Sequence, residues 1–243
     1  RLEFFTDLFA RVHEHSRRVR WLSSYHDVLG RSRLWNELKI AHLNAVYDST
    51  RVLDIGCATG ELAIGLLRDG KRVAAVDSDT DALRQLRIRS RKWESMLRII
   101  RRSLDSLGHL PEERWDGATV MLGMHRFADA AESLRRVHRA VKPGGTIAVS
   151  GWKPGASVGV VMNRVRQDHE QSGRFETIKY QFQHVAEYTA QEFAGQADSF
   201  MSLEQAVDAL RRAGFTDIQR TSRDFMDAQA WFVVARKPSG SAD

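Results

Sequence analysis

One short segment constrains this chain more than any other: Val52-Leu53-Asp54-Ile55, followed directly by Gly56-Cys57-Ala58-Thr59-Gly60-Glu61. An apolar strand carrying one carboxylate breaks into a loop of small residues, and the loop opens a helix. A loop almost without side chains lets a ligand lie against the backbone, because glycine reaches conformations closed to other residues and brings no Cβ. Further apolar runs alternating with helical patterns extend this unit into an α/β chain.

The loop discriminates between ligands. A dinucleotide-binding turn reads G-x-G-x-x-G and seats a pyrophosphate on the helix N-terminus. Here the spacing is Gly56-x-Ala58-x-Gly60, Glu61 stands where the third glycine would be, and Asp54 and Glu61 flank the loop. Two acids repel a pyrophosphate and attract a cation. A second run, Arg72-Val73-Ala74-Ala75-Val76, ends at Asp77-Ser78-Asp79, with Asp77 placed 21 residues beyond Gly56. An acid ending the second strand of a β-α-β unit can accept both ribose hydroxyls, a feature shared with nicotinamide-binding proteins.

Later landmarks keep the alternation. Trp115 to Leu122 reads as a buried strand, followed by Gly123-Met124-His125-Arg126-Phe127. A helix is expected from Ala128 to Val141, with Ala131, Leu134, Val137, His138 and Val141 on one face. Lys142-Pro143-Gly144-Gly145 ends it and leads into a fifth strand, Thr146 to Gly151. Ser202-Leu203-Glu204-Gln205 caps a last helix that Ala213-Gly214-Phe215 terminates, and strands follow at Asp217 to Thr221 and Ala230 to Arg236.

In this order the motifs resemble the small-molecule branch of class I S-adenosylmethionine-dependent methyltransferases, the type 11 or UbiE-like group, over roughly residues 50 to 151 and again at the C-terminus. The resemblance implies a Rossmann-like doubly wound α/β fold. Its seven-stranded sheet would have the last strand antiparallel, with an N-terminal helical lid and a cap inserted after strand five. The expected division is a helical lid at 1–50, an S-adenosylmethionine-binding core at 51–151, an acceptor-binding cap at 152–200, and a helix and strand pair completing the core at 201–238. S-adenosylmethionine is the implied cofactor. Asp54, Gly56, Cys57, Ala58 and Gly60 would hold it from the loop, and Asp77 and Ser78 from the second strand end. Leu104 and Asp105, beside Ser103, would lie against the adenine, and Leu122 and Met124 follow strand four. No metal site is implied.

His125 is the first candidate for a general base, since it occupies the turn that faces the acceptor. The matching histidine of such enzymes also braces the loop, and the second histidine of their pair is Arg126 here. His26, Tyr25, His169, His184, Tyr180 and Tyr188 are weaker candidates from the two helical segments. The N/D-P-P-[YF] run of amino-methyltransferases and the K-D-K-E relay of ribose methyltransferases are absent. The acceptor is therefore expected to be a small molecule, methylated on oxygen, nitrogen or carbon.

The net charge of +6 keeps an anionic partner in view. Arg84, Arg87, Arg89, Arg91, Lys92, Arg98, Arg101 and Arg102 crowd the segment 84–102, opposed by Glu94 alone. A solvated arginine-rich face is one reading, and a nucleic-acid or protein methyltransferase using that face is another. A non-catalytic cofactor-binding scaffold is the third. The single cysteine, Cys57, allows no internal disulfide and no zinc cluster, and reads as a small thiol packing the loop. No run reaches the roughly 18 apolar residues a membrane helix needs. A cytoplasmic setting is expected and a homo-oligomer is left open. No basic-then-apolar leader precedes the first helix, and the chain starts at Arg1, so an earlier segment also stays open.

Overall fold

The structure, a computed structural model, describes residues 2–103, 110–221 and 223–240, with side chains from residue 11 onward. Among the described residues one sheet holds the strands β1 (Arg51–Ile55), β2 (Arg72–Asp77), β3 (Leu97–Arg101), β4 (Trp115–Val120), β5 (Val141–Trp152), β6 (Thr216–Arg220) and β7 (Ala230–Arg236). The helices are α1 (Leu2–Tyr25), α2 (Arg33–Ala45), α3 (Glu61–Arg68), α4 (Thr80–Arg89), α5 (Ala130–Ala140), α6 (Val158–Gln171), α7 (Phe175–Gln196) and α8 (Leu203–Arg212). Strand order is β3-β2-β1-β4-β5-β7-β6. The first five strands pair in parallel, while β7 runs antiparallel to both β5 and β6. The doubly wound sheet with an antiparallel last strand is the one expected.

Successive strand residues face opposite sides, so each apolar run feeds two cores. Val52, Val73 and Ala75 pack with Leu66, Leu83 and Leu86 under α3 and α4. Leu53, Ile55, Val76 and Val120 pack with Leu134, Val137, Val207 and Leu210 under α5 and α8. Asp129 caps α5 by accepting the Glu132 N–H at 2.9 Å, and Ser202 with Gln205 forms a full capping box on α8. The Lys142-Pro143-Gly144-Gly145 turn lies inside β5 rather than before it. Trp115 pairs with Val141, the register then shifts, and pairing resumes at Gly117 with Thr146. Gly144 at φ +76 accommodates that bulge.

A third core lies above the strand ends. α1 runs into one π-helical turn, His26–Gly30, before Ser32 caps α2 through the Trp35 N–H. Val28, Leu29 and Leu38 from this segment pack against Val161, Val165, Ile178 and Val185 of α6 and α7. The Trp21 ring stacks on Tyr188 at 4.9 Å, and its Nε1–H donates to Thr189 Oγ1 at 3.1 Å. His169 donates from Nε2 to the Val28 carbonyl and His184 to the Arg17 carbonyl, which ties α6 and α7 to the N-terminal segment. Among the described residues no helix is long and apolar enough to cross a membrane.

Candidate active site

β2 lies on one side of β1 and β4 on the other, so a crevice opens beyond the carboxyl ends of these strands. It contains a cavity of about 260 Å³ roofed by α1 and α7. The loop after β1 forms its floor. Gly56 and Cys57 donate their N–H groups to the Val76 carbonyl at 2.8 and 3.1 Å, which pins the loop to the end of β2. Gly56 (φ +70), Ala58 (φ +45) and Gly60 (φ +87) all take left-handed conformations. Gly56, Cys57 and Ala58 line the cavity; Gly60 does not, and a Cβ there would overlap Leu86. Gly60 is thus required by the packing of α4 against the loop. Burial, and after it the carboxylates Asp54 and Asp77, push the Cys57 thiol well up, so it stays protonated.

Asp54 sits at the cavity's base, 1% exposed. Parallel pairing sets it opposite Thr119 of β4, whose Oγ1–H donates to Asp54 Oδ1 at 3.0 Å. Its Oδ2 has no partner. Burial pushes this carboxyl up to about 7, with the Asp77 charge adding to the rise.

Asp77, fully buried at the end of β2, is surrounded by donors. Oδ1 accepts from the Asp79 N–H at 3.0 Å, and Oδ2 accepts from the Ala58 N–H at 3.0 Å. Arg126 Nη2 and Nη1 then take one oxygen each at 3.3 Å. Ser78, expected beside it, is exposed and outside the cavity wall.

Glu61 departs from the sequence argument. It was expected to leave a free negative charge beside the loop, but it is buried in an ion cluster. Arg89 pairs with Glu61 Oε1, and His26 Nδ1 lies 3.0 Å from Glu61 Oε2. Arg89 Nη1 also donates to the Thr59 carbonyl at 2.9 Å. Burial raises this carboxyl, but His26 and Arg89 outweigh it and hold it below its ordinary range. A Cβ on Gly30 would overlap the Glu61 carboxylate and the His26 ring, so this glycine lets the π-helical turn close onto the cluster. Spacing in sequence carries no sign of this clasp, since its members lie on three separate elements.

The upper wall is aromatic: Trp21, Tyr25, Trp35, Trp152 and Phe193 line it, with Tyr25 edge-on to Trp35 at 5.5 Å. Trp35 Nε1 is buried without a partner. His125 lines the wall beside Arg126, edge-on to Phe200. Its Nε2–H donates to Gln196 Oε1 at 2.7 Å, which leaves Nδ1 as a buried lone pair with no partner. Burial, opposed by the Gln196 bond and aided by Arg126, lowers its basicity, so the ring is neutral near pH 7.

The other candidates separate. Leu122 lines the cavity at φ +55, its N–H held by Ser150 Oγ at 3.0 Å. Met124 is 0% exposed in the core under α5, because the 3₁₀ turn Met124–Arg126 directs His125 and Arg126 to the cavity wall instead. Leu104 and Asp105 lie outside the described residues. Among the weaker candidates Tyr25 lines the cavity, whereas His26 belongs to the Glu61 cluster. His169 and His184 brace helices, Tyr188 stacks on Trp21, and Tyr180 is exposed beside Arg20.

The unpartnered atoms of Trp35, Asp54, Thr59 and His125 all belong to residues lining this one cavity. Buried polar groups ordinarily find partners, so their convergence marks a binding site.

Comparison with known proteins agrees with the geometry. Residues 52–145 match the methyltransferase domain family. Over that segment the chain is similar to methyltransferases. A ubiquinone biosynthesis O-methyltransferase of Alkalilimnicola ehrlichii is 30% identical over 103 residues, 42% of either chain. A 2-phytyl-1,4-naphtoquinone methyltransferase of Nostoc punctiforme is 32% identical over 137 residues, 53% of this chain and 55% of the relative. The chain thus spans about half the length of the curated relatives it matches. In fold, an S-adenosylmethionine-dependent methyltransferase from Mesorhizobium loti superposes with a TM-score of 0.59 at 21% identity, over 86% of this chain and all of that one. The N-methyltransferase NodS of Bradyrhizobium japonicum, solved with S-adenosylhomocysteine, also gives 0.59, at 14% identity over 90% and 99%.

The groups lining this cavity fit S-adenosylmethionine. The open Asp54 Oδ2 suits an ammonium or sulfonium cation, the small-residue loop admits a close-lying ligand, and Asp77 is an acid where a ribose diol would fall.

Proposed function

We propose that this chain transfers a methyl group from S-adenosylmethionine to a planar small-molecule acceptor held beneath the helical segments 1–50 and 152–200. The carrying observation is one cavity with two unlike walls, carboxylates and backbone on one side and aromatic rings on the other. Bound S-adenosylmethionine supplies a methyl group on sulfur already activated for displacement. The residues of this chain position the partners, which is where much of the rate of an in-line transfer arises. Asp54 holds the cationic amino end, Gly56 to Ala58 support the ligand from below, and Asp77 takes the ribose hydroxyls. Trp21, Tyr25, Trp35, Trp152 and Phe193 enclose the acceptor and exclude water. His125, kept neutral by burial against the opposing pull of its Nε2–H bond to Gln196, can take at Nδ1 the proton an oxygen or nitrogen acceptor loses. In this reading the segment 1–50 is a lid, and Glu61 with His26 and Arg89 is the clasp that seats it.

Planarity of the acceptor is argued from the ring-lined wall, and the two relatives named for quinone chemistry support the same class. A cytoplasmic setting suits the single buried thiol. The test is transfer of labelled methyl from S-adenosylmethionine into a cell extract, fractionated by size and nuclease sensitivity. Label is expected in the low-mass fraction. Label confined to nuclease-sensitive polymer, or no transfer into any fraction, would overturn the reading.

A further inference from the structure

Asp77 has no acceptor capacity to spare. An ionised carboxylate offers about four lone-pair sites, and the Asp79 N–H, the Ala58 N–H and the two Arg126 nitrogens occupy them. Two of these donors are backbone amides of ordered loops and cannot leave without dismantling the site. The other two belong to one side chain, 35% exposed, whose contacts at 3.3 Å are long for a charge-assisted pair. A ribose diol can therefore reach Asp77 only by replacing Arg126. The guanidinium so released still belongs to the cavity wall, beside His125 and below the aromatic rings. The nearby acids are engaged: Asp79 by Arg18, Glu61 by Arg89 and His26, and Asp54, whose Oδ2 is open in the structure, by the cofactor's ammonium in the reading above. Glu192 lies at the exposed rim. A cation left among rings and spent carboxylates calls for an anion from the ligand.

We propose that Arg126 is an exchangeable counter-ion: cofactor ribose displaces it from Asp77, and it then binds an anionic group on a planar acceptor. The inference rests on the cofactor reading above and names the acceptor's charge, which that reading leaves open. It makes Arg126 a specificity-determining residue and makes binding ordered, cofactor before acceptor. Phenolates, enolates and ring carboxylates are the chemical classes that fit.

The experiment uses calorimetry on the full chain with S-adenosylhomocysteine, then with 1-naphthoate and its uncharged amide as probes. S-adenosylhomocysteine should bind the wild-type chain, and Arg126→Gln should bind it as tightly or a few-fold tighter, because a competitor is gone. Naphthoate should bind at least ~10-fold better with S-adenosylhomocysteine present than without, a coupling of ordinary allosteric size. Arg126→Gln should remove that gain, while the amide should be indifferent to the substitution. Weaker S-adenosylhomocysteine binding by Arg126→Gln would place the guanidinium on the cofactor and overturn the proposal. Equal loss of naphthoate and amide binding would overturn it too, by showing a packing role. Wild-type chain that binds no S-adenosylhomocysteine would overturn the cofactor reading itself. Arg126→Lys separates charge from folding, since it should retain part of the naphthoate gain that Arg126→Gln loses.

Discussion

The two walls of the cavity are built on opposite principles. The lower wall consists of strand ends and one loop, where Asp54, Gly56, Ala58 and Asp77 fall within a single β-α-β unit of the chain. The upper wall collects Trp21, Tyr25, Trp35, Trp152 and Phe193 from α1, α2, β5 and α7. A site made from one contiguous unit can hold a fixed ligand through backbone geometry. A site assembled from several helices depends on their packing, and helix surfaces can change shape and chemistry without disturbing the sheet beneath. In the proposed reading the lower wall holds the cofactor through local backbone geometry, and the upper wall is where acceptor selectivity would be set.

Cutting the join between the walls should have the largest effect. Arg89→Met leaves the buried Glu61 carboxylate with only His26 as a partner, and should cost about 3 kcal/mol of stability, as breaking buried ion pairs does. Denaturant unfolding would measure it, and a loss below 1 kcal/mol would show that the clasp contributes little. The lower wall is probed next. Asp77→Asn should weaken S-adenosylhomocysteine binding about 100-fold, since the charge-assisted bonds to the ribose hydroxyls are lost; calorimetry giving unchanged affinity would remove Asp77 from the ribose site.

A pH series separates the walls more finely. Asp54 is raised from 3.8 to about 7 by burial, so the folded chain keeps this proton where the unfolded chain has released it. The fold should therefore lose stability as pH rises from about 4 to 7, while affinity for the cationic amino end increases through the same window. S-adenosylhomocysteine should bind several-fold tighter at pH 8 than at pH 6, and Asp54→Asn should flatten that profile. The upper wall should respond differently. Trp35→Phe keeps an aromatic face but deletes the unpartnered Nε1–H together with part of the indole, so it should raise acceptor KM by about 5-fold or more, at least the range of one hydrogen bond, without changing cofactor affinity. A change in cofactor affinity instead would mean that the two walls are not separable. The smallest effect is expected away from both. Arg84→Gln with Arg98→Gln, two exposed residues of the arginine-rich face, should leave transfer and its salt dependence unchanged; a steep new salt slope would bring nucleic acid back into the account.

Much of this molecule was legible in the sequence, and the reason is locality. Alternating apolar strands and amphipathic helices specify a sheet covered on both faces, and the observed strands fall close to the expected ones. Gly56 and Gly60 announce left-handed backbone because few other residues tolerate it, whereas Ala58 adopts it with no sign in its residue type. The role of Gly60 was less legible, because contact with Leu86 depends on where α4 packs. Met124 was misplaced for a related reason: a 3₁₀ turn, not a strand register, sets which of Met124, His125 and Arg126 faces the cavity. The two helices of residues 152–200 carried aromatic residues but no readable arrangement.

By itself, then, the sequence determined the open α/β architecture, the small-residue loop and the two strand-end acids, each written in contiguous residues whose backbone chemistry is local. Tertiary structure alone decided that Glu61 is neutralised by Arg89 and His26, that Arg126 fills Asp77, and that five rings close one wall. Those are encounters between charges and surfaces far apart in the chain, and their pairing is a property of packing that no spacing in sequence encodes.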